Sequence, residues 1–203
     1  MQRRETHPTP MTNPLHKATA FKFMSLAFAY PNEAFVPALK EAVRSLSGHA
    51  GAAGKLIAEF EAADPELLQA EYTRLFINGY PNTPCLPYES VRLEQRMHGD
   101  ASVSVQAEYQ AWGLSVDAGL IDHLSTEFEY LAFLASIPSA EPSLASKAQA
   151  SFDLFVREHL CRWVPAFISD LESSAEMACY RSLSFLMANL LEGICLQAHS
   201  QPA

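Results

Sequence analysis

Apolar residues recur every three or four positions along most of the chain, and this spacing is typical of amphipathic helices. The only stretch that alternates like a strand, Val103-Ser104-Val105, is too short to build a sheet. Helices are expected over about 15–29, 35–46, 55–63, 67–78, 90–97, 101–112, 119–137, 144–160, 163–171 and 175–198. The pattern therefore predicts an all-α fold, a single globular bundle of about nine or ten helices.

Proline, glycine and capping residues mark where the helices begin and end. Asp64-Pro65-Glu66 combines an N-cap residue, a proline for the first helical position and an acidic first turn, which predicts a helix start. Three prolines between 79 and 91 predict the longest non-helical segment. Residues 48–54 and 139–142 are expected to be links, and 1–13 a loose tail. One all-helical domain is thus expected over 14–203, with a hinge near 136–143.

Charge narrows the range of partners. The 203 residues include 14 basic and 23 acidic side chains, so the net charge of −9 disfavours nucleic acid and anionic lipid and favours a basic peptide. No run reaches the ~18 apolar residues that a membrane span requires. Met1-Gln2-Arg3-Arg4 is followed by Glu5 and prolines rather than by the apolar part of an export signal. We therefore expect a cytoplasmic protein with no nucleic-acid partner and no membrane span.

The cysteines contain no C-x-x-C pair. They are Cys85, Cys161, Cys179 and Cys195. This distribution predicts neither a zinc site nor a disulfide framework. Free, buried thiols are expected instead, and these suit a reducing cytoplasm.

A first motif, Glu71-Tyr72-x-x-Leu75-Phe76-x-x-Gly79, closes a helix directly ahead of the proline-rich segment. Its aromatic and aliphatic side chains lie three and four positions apart and share one helix face. That face is either ordinary core or one wall of a groove for an apolar peptide. The segment ends in Pro87-Tyr88-Glu89-Ser90-Val91, where Glu89 can cap a helix starting at Ser90 or receive a guanidinium group.

A second motif, Asp122-His123-Leu124-x-x-Glu127, stands at the head of the long helix predicted from about 119. Asp122 suits the positive end of that helix and is expected either to cap it or to contact a ligand. His123 and Glu127 lie one turn apart, where a surface hydrogen bond is expected rather than a metal site. A third motif, Phe155-x-x-Glu158-His159-Leu160-x-x-Trp163-x-x-x-Phe167, predicts helix packing in the core.

In this order and spacing, the motifs over about 67–167 resemble those of the TorD/DmsD/NarJ family of cytoplasmic chaperones, which mature molybdenum-containing redox enzymes of anaerobic respiration. The resemblance implies a TorD-like helical domain that is not an enzyme and has no cofactor or metal of its own. It implies two partners, the twin-arginine signal peptide and the apoenzyme of a molybdopterin-dependent oxidoreductase. The chaperone would hold that apoenzyme back from export while its cofactor is inserted.

The resemblance places the family's peptide-contact positions on Tyr72, Leu75, Phe76, Pro87, Tyr88, Asp122 and His123. Electrostatics adds Glu89 and Glu127 as carboxylates for arginine. Two departures bear on the shape of the groove and hence on the client. Arg92 stands where the family usually has an aromatic residue, and Leu86 where a second proline is common.

Three alternatives stay open at this stage. Within the family, the chain is also compatible with a NarJ-like assembly factor for a cytoplasm-facing nitrate reductase. From another class, a small metal-dependent hydrolase would use His123, Glu127, His98 and Asp100. The third is a structural adaptor with all its aromatic residues in the core. Both a monomer and a dimer that exchanges helices around 136–143 fit the sequence.

Overall fold

The computed structural model describes residues 14–44 and 50–200, and this part of the chain is helical and contains no strand. The α-helices are α1 (Pro14–Ala27), α2 (Phe35–Val43), α3 (Ala50–Ala62), α4 (Pro65–Tyr72), α5 (Glu89–Glu94), α6 (Asp100–Gln110), α7 (Leu124–Ala140), α8 (Ala145–Phe155), α9 (Cys161–Ser174) and α10 (Ala178–Ser200). The prediction of an all-α fold is confirmed. The expected tail over 1–13 lies outside the described residues.

Short helical turns of other types join some of these helices. Two π-helical turns, Thr73–Ile77 and Val156–Leu160, continue α4 and connect α8 to α9. Two 3-10 turns, Ala118–Leu120 and Pro142–Leu144, precede α7 and α8. The most extensive packing is between α1 and α7, followed by that between α9 and α10. The division into one domain and the hinge near 136–143 stay predictions.

Aromatic rings fill the centre of the bundle. The Phe28 ring contacts those of Phe76, Phe128 and Phe167, with centroids 5.8, 6.2 and 5.8 Å apart. Phe167 also meets Trp163 edge to face at 5.6 Å. Such offset and edge contacts are the arrangements that aromatic quadrupoles favour. The prediction that the third motif packs in the core is confirmed.

The helix start predicted at Asp64 is confirmed. Its carboxylate accepts hydrogen bonds from the backbone N–H groups of Glu66 and Leu67, both at 3.0 Å. Pro65 occupies the first helical position, where its missing N–H leaves no hydrogen bond unmade. Local capping chemistry is therefore enough to fix where α4 begins.

Among the predicted boundaries that are wrong, two lie at glycine or proline residues. The link expected over 48–54 is helical from Ala50 onward, because Ala53 is buried in the core and this packing outweighs the low helix propensity of two neighbouring glycines. The helix expected to end before Pro138 continues to Ala140. Pro138 lies in the last turn, where few later residues depend on an unbroken ladder of backbone hydrogen bonds.

The expectation of four free thiols is wrong for two of them. Cys161 at the start of α9 and Cys195 in α10 form a disulfide, with their Cα atoms 5.7 Å apart. Helix packing brings them together, and their separation of 34 residues gives no local signal of it. Cys85 and Cys179 are free and buried, as predicted, and burial raises the pKa of each thiol to about 11.

None of the helices within 14–44 and 50–200 combines the length and the apolar character that a bilayer crossing needs.

Candidate functional site

The first two motifs meet at a short antiparallel bridge between Tyr88 and His123. The Glu89 N–H donates to the Asp122 carbonyl at 3.0 Å, and the Leu124 N–H donates to the Pro87 carbonyl at 2.9 Å. These bonds hold both backbones extended, so α7 begins at Leu124 rather than near 119 as predicted. Two segments that are distant in the sequence thereby pair through their backbones, and this pairing is named here the Tyr88–His123 junction.

Asp122 caps a different helix from the one predicted. Its Oδ2 accepts a hydrogen bond from the Ser90 N–H at 2.7 Å, at the start of α5. The carboxylate is almost completely buried. Asp122 therefore stabilises the junction from the interior of the bundle, and its carboxylate is not exposed to solvent.

His123 caps α7 in place of Asp122. Its Nδ1 accepts a hydrogen bond from the Ser125 N–H at 3.1 Å, and the Ser125 hydroxyl lies 2.7 Å from the same nitrogen. Burial lowers the pKa of His123 to about 4, against the opposing effect of the Asp122 charge. The ring is therefore neutral at pH 7. Because Nδ1 accepts, Nε2 carries the hydrogen and is the donor of the ring.

Tyrosines form the outer edge of the junction. The Tyr88 ring is half-buried and meets the His123 ring edge to face at 4.9 Å. Tyr72 lies behind, its hydroxyl donating to the Phe28 carbonyl at 2.9 Å. Burial, with smaller effects from Tyr88 and Tyr30, raises the pKa of Tyr72 to about 12. The Tyr30 ring packs 5.4 Å from Tyr72 and is 44% exposed.

The apolar face of the first motif is core, the first of its two interpretations. Tyr72, Leu75 and Phe76 are buried, and the Phe76 ring packs against Phe28, Phe167 and Tyr180. The expectation that this face lines an open groove is wrong for this structure, because Phe28 just after α1, Phe167 of α9 and Tyr180 of α10 cover it. Pro87 is also buried. Which of these residues contacts a ligand stays a prediction.

Two exposed tyrosines near the motifs were not predicted as site residues. Tyr30 directly precedes the Pro31 that ends the first predicted helix, and Tyr80 stands in the proline-rich segment and is 99% exposed. The sequence feature that could have identified them is a large aromatic residue next to the end of a predicted helix or in a polar loop. Helical periodicity does not register it, because neither residue lies on a helix face.

Glu89 is fully buried and has a partner that the sequence did not suggest. Its Oε2 lies 2.9 Å from His159 Nδ1, which belongs to the π-helical turn between α8 and α9. The other ring nitrogen of His159 is 3.5 Å from the Ser104 hydroxyl. Glu89 was expected to meet a helix N-terminus or a guanidinium group. It instead ties the start of α5 to the middle of the bundle.

Glu127 is fully buried, and neither of its carboxyl oxygens has a partner in hydrogen-bond geometry among the described residues. The Trp163 indole N–H and the Glu89 carboxyl lie nearby, but neither is in hydrogen-bond geometry with Glu127. Burial raises the pKa of Glu127 well above its ordinary value, and the charges of Glu89 and Asp122 raise it further. Glu127 therefore holds its proton to higher pH than an exposed glutamate does, and its enclosed carboxyl does not reach a bound arginine here.

This pKa shift makes a prediction about stability. The folded protein keeps the Glu127 proton while the unfolded chain releases it above about pH 4.5, so this group destabilises the fold increasingly as pH rises toward its folded pKa. In Glu127→Gln that contribution is absent. The stability of the wild type relative to the variant should fall by about 1.4 kcal/mol per pH unit in this window. Urea unfolding over a series of pH values above about 4.5 measures it.

The control for that measurement is Glu129→Gln, on the same helix. Glu129 is half-exposed and pairs with Lys22 at 2.7 Å. The control should follow the wild-type pH dependence. Equal pH dependence of the wild type and Glu127→Gln would show that Glu127 is ionised in the folded protein.

The charged residues around the junction form ion pairs with other residues of this chain. Arg92, which replaces the family's usual aromatic residue, pairs with Asp170 and joins α5 to α9. Glu71 of the first motif pairs with Arg74 at 2.7 Å and accepts the Glu176 N–H at 2.7 Å, just before α10. Burial raises the pKa of Glu71, but Arg74 and the backbone donors outweigh it, and the net shift is downward.

The metal-hydrolase alternative lacks a ligand set in the part of the chain that the structure describes. There, no three or more His, Cys, Asp or Glu side chains are arranged to hold a metal ion. The His123 ring bonds to Ser125 rather than to Glu127, whose carboxyl is enclosed by the bundle. The pairing expected between His123 and Glu127 is therefore wrong.

The fold identifies the class of protein to which this chain belongs. It superimposes on a crystal structure of a redox enzyme maturation protein from Archaeoglobus fulgidus with a TM-score of 0.62 and 27% sequence identity. The match covers 94% of this chain and 99% of that one. The all-helical arrangement described above is thus that of redox enzyme maturation proteins.

The chain belongs to the family described as nitrate reductase delta subunit, which its residues 29–169 match and which includes the TorD and NarJ chaperones. It is 33% identical over 109 residues to the chaperone protein TorD of Vibrio cholerae serotype O1 (strain O395), covering 49% of this chain and 48% of TorD.

It is also 37% identical over 93 residues to the nitrate reductase molybdenum cofactor assembly chaperone NarJ of Escherichia coli K12, covering 45% of this chain and 38% of NarJ. The aligned part is thus about half the length of TorD and less of NarJ. The resemblance read from the motifs is confirmed.

Proposed function

We propose that this protein is a cytoplasmic, non-enzymatic chaperone for a molybdenum-cofactor oxidoreductase. It would bind the twin-arginine signal peptide of the apoenzyme and hold the subunit for cofactor insertion before export. Family membership supports the chaperone class, since the TorD and NarJ relatives are both named as chaperones. The structural observation that supports the proposal is the Tyr88–His123 junction, where the segment after the first motif and the second motif pair through their backbones beside the half-buried Tyr88 ring.

The chemistry of the junction suits a peptide. Tyr30 and Tyr88 present rings with polar hydroxyl tips, which combine contact area with hydrogen bonding. The neutral His123 ring is 7% exposed and supports the Tyr88 ring edge to face at 4.9 Å. Glu89 and Asp122 lie just below as a rigid base. Recognition of this kind makes and breaks no covalent bond, so the mechanism requires no catalytic residue.

Electrostatics favours a basic peptide. The net charge of −9 attracts arginines over distances comparable to the Debye length and raises the association rate. Binding should therefore weaken as salt increases.

The test uses a fluorescently labelled synthetic peptide with two adjacent arginines followed by a leucine-alanine segment. Binding is expected, and replacing both arginines by lysine should weaken it by about tenfold, because the planar guanidinium stacks on aromatic faces such as those of Tyr30 and Tyr88 better than an ammonium group does. Fluorescence anisotropy measures both affinities. No binding of the arginine peptide would contradict the proposal.

The NarJ-like alternative has one observation in its favour, the 37% identity to NarJ over 93 residues. An assembly factor for a cytoplasm-facing subunit would have no need of an intact arginine pair. Equal affinity for the arginine and lysine peptides would therefore favour this alternative over twin-arginine recognition.

A further inference from the structure

A pocket of about 340 Å³ opens between α2, α3 and α4. Its apolar walls are Pro31, Phe35, Val36, Phe60, Ala63 and Leu68. Phe35 and Phe60 form its base, with ring centroids 5.0 Å apart. The volume falls at the small end of the range of roughly 300–1,000 Å³ that is typical of ligand sites. None of the motifs read from the sequence accounts for this pocket.

The pocket adjoins the Tyr88–His123 junction. Pro31 follows Tyr30 directly, and Leu68 lies one helical turn before Tyr72 on α4. The Gln69 side-chain amide donates to the Pro31 carbonyl at 3.0 Å and fixes the shared wall. The Tyr30–Tyr72 ring pair therefore borders the pocket, and Tyr72 is close enough to Tyr88 for their charges to interact.

Ring contacts also connect the base of the pocket to the junction through the core. Phe60 meets Tyr180 at 5.6 Å, Tyr180 meets Phe76 at 5.6 Å, and Phe76 meets Tyr72 at 5.0 Å. A ligand that displaces the Phe60 ring would also displace the Tyr72 ring, because closely packed interiors transmit such shifts.

We propose that this pocket receives apolar side chains of the segment that follows the basic pair in the client signal peptide. The inference rests on the proposed function and adds a second subsite to it. The face of Tyr72, Leu75 and Phe76 is closed, so the apolar part of such a peptide needs another receptor. This pocket has apolar walls, and the Tyr30–Tyr72 ring pair lies between it and the junction.

The rim favours the same occupant. Its charged residues are Glu33, Glu61 and Lys40, and Lys40 pairs with Glu61. The remaining charge is that of Glu33, an exposed carboxylate suited to a basic peptide. The segment over 1–13 of this chain carries Arg3 and Arg4 but no apolar run, so it does not match the walls.

The experiment compares two labelled peptides, one with two arginines followed by a leucine-alanine segment and one truncated after the arginines. Two variants alter the pocket: Val36→Glu places a charge in its wall, and Ala63→Trp fills it without a charge. The matched control is Val103→Glu on α6, which is 64% exposed and does not line the pocket. Melting temperature and far-UV circular dichroism identify the folded variants.

Both pocket variants should weaken binding of the long peptide by about tenfold, which is the effect of losing one buried apolar side chain. They should change the affinity for the short peptide by less than about twofold. Val103→Glu should change neither. Unchanged affinity of the long peptide in folded Ala63→Trp would overturn the inference, even if Val36→Glu fails to fold.

The pocket variants could instead change the oligomeric state, measured by sedimentation, and leave the peptide affinities unchanged. That result would also overturn the inference, because it would show that the pocket binds a second copy of the chain. If the wild type binds neither peptide, the proposed function itself fails. That result is distinct from wild-type binding that the pocket variants leave unchanged.

Discussion

Replacing His159 with alanine is expected to lower the free energy of unfolding by about 3–5 kcal/mol. The substitution leaves the fully buried Glu89 carboxyl without its 2.9 Å partner and opens a cavity in the π-helical turn between α8 and α9. A buried acid that loses its partner keeps its full desolvation penalty, and the surrounding bundle closes a cavity only in part. Urea unfolding at pH 7 measures the loss.

Two variants separate the loss of this pair from the loss of volume. Ser104→Ala removes the longer contact at the other ring nitrogen, 3.5 Å, and should cost less than about 1 kcal/mol. Adding Glu89→Gln to His159→Ala should cost less than Glu89→Gln alone, since the partners are coupled. A loss in His159→Ala no greater than that in Ser104→Ala would show that the Glu89–His159 contact does not stabilise the fold.

Replacing Tyr88 with alanine is expected to weaken binding of the long arginine peptide by about 2 kcal/mol or more, roughly 30-fold. The ring is half-buried against His123, so its truncation removes most of the contact area of the junction. Fluorescence anisotropy measures the change, and far-UV circular dichroism checks that the variant is folded. Tyr88→Phe should retain most of the affinity, because it keeps the ring.

The matched control for Tyr88→Ala is Phe185→Ala on α10. Phe185 is an exposed aromatic residue outside the junction, and its loss should leave the peptide affinity unchanged. Equal affinities of the wild type and Tyr88→Ala would remove Tyr88 from the site.

Features governed by local chemistry could be predicted from the sequence. Asp64 and Pro65 mark the start of α4 because the cap and the first turn lie within a few residues of each other. The scarcity of alternating β-branched residues was enough to predict an all-α fold. The start of α7 could not be predicted, because the backbone at Asp122 and His123 pairs with a distant segment and this pairing overrides the helical periodicity.

Which side chains of the candidate site are buried could not be predicted from the sequence either. A face such as that of Tyr72 and Phe76 has the same spacing whether it lines a groove or fills a core, and the covering helices come from elsewhere in the chain. The partner of Glu89 is equally remote, since His159 reaches it through a π-helical turn. Spacing identifies which residues share a face, whereas tertiary packing decides what covers it.

The central claim is that the client peptide contacts the Tyr88–His123 junction, and site-specific photo-crosslinking tests it most directly. Benzoylphenylalanine is placed at the position of Tyr88 or, as a control, of Phe185, and each protein is irradiated with the long arginine peptide. We expect the peptide to become attached at position 88 and not at position 185. Equal attachment at both positions, or attachment at 185 alone, would contradict the claim.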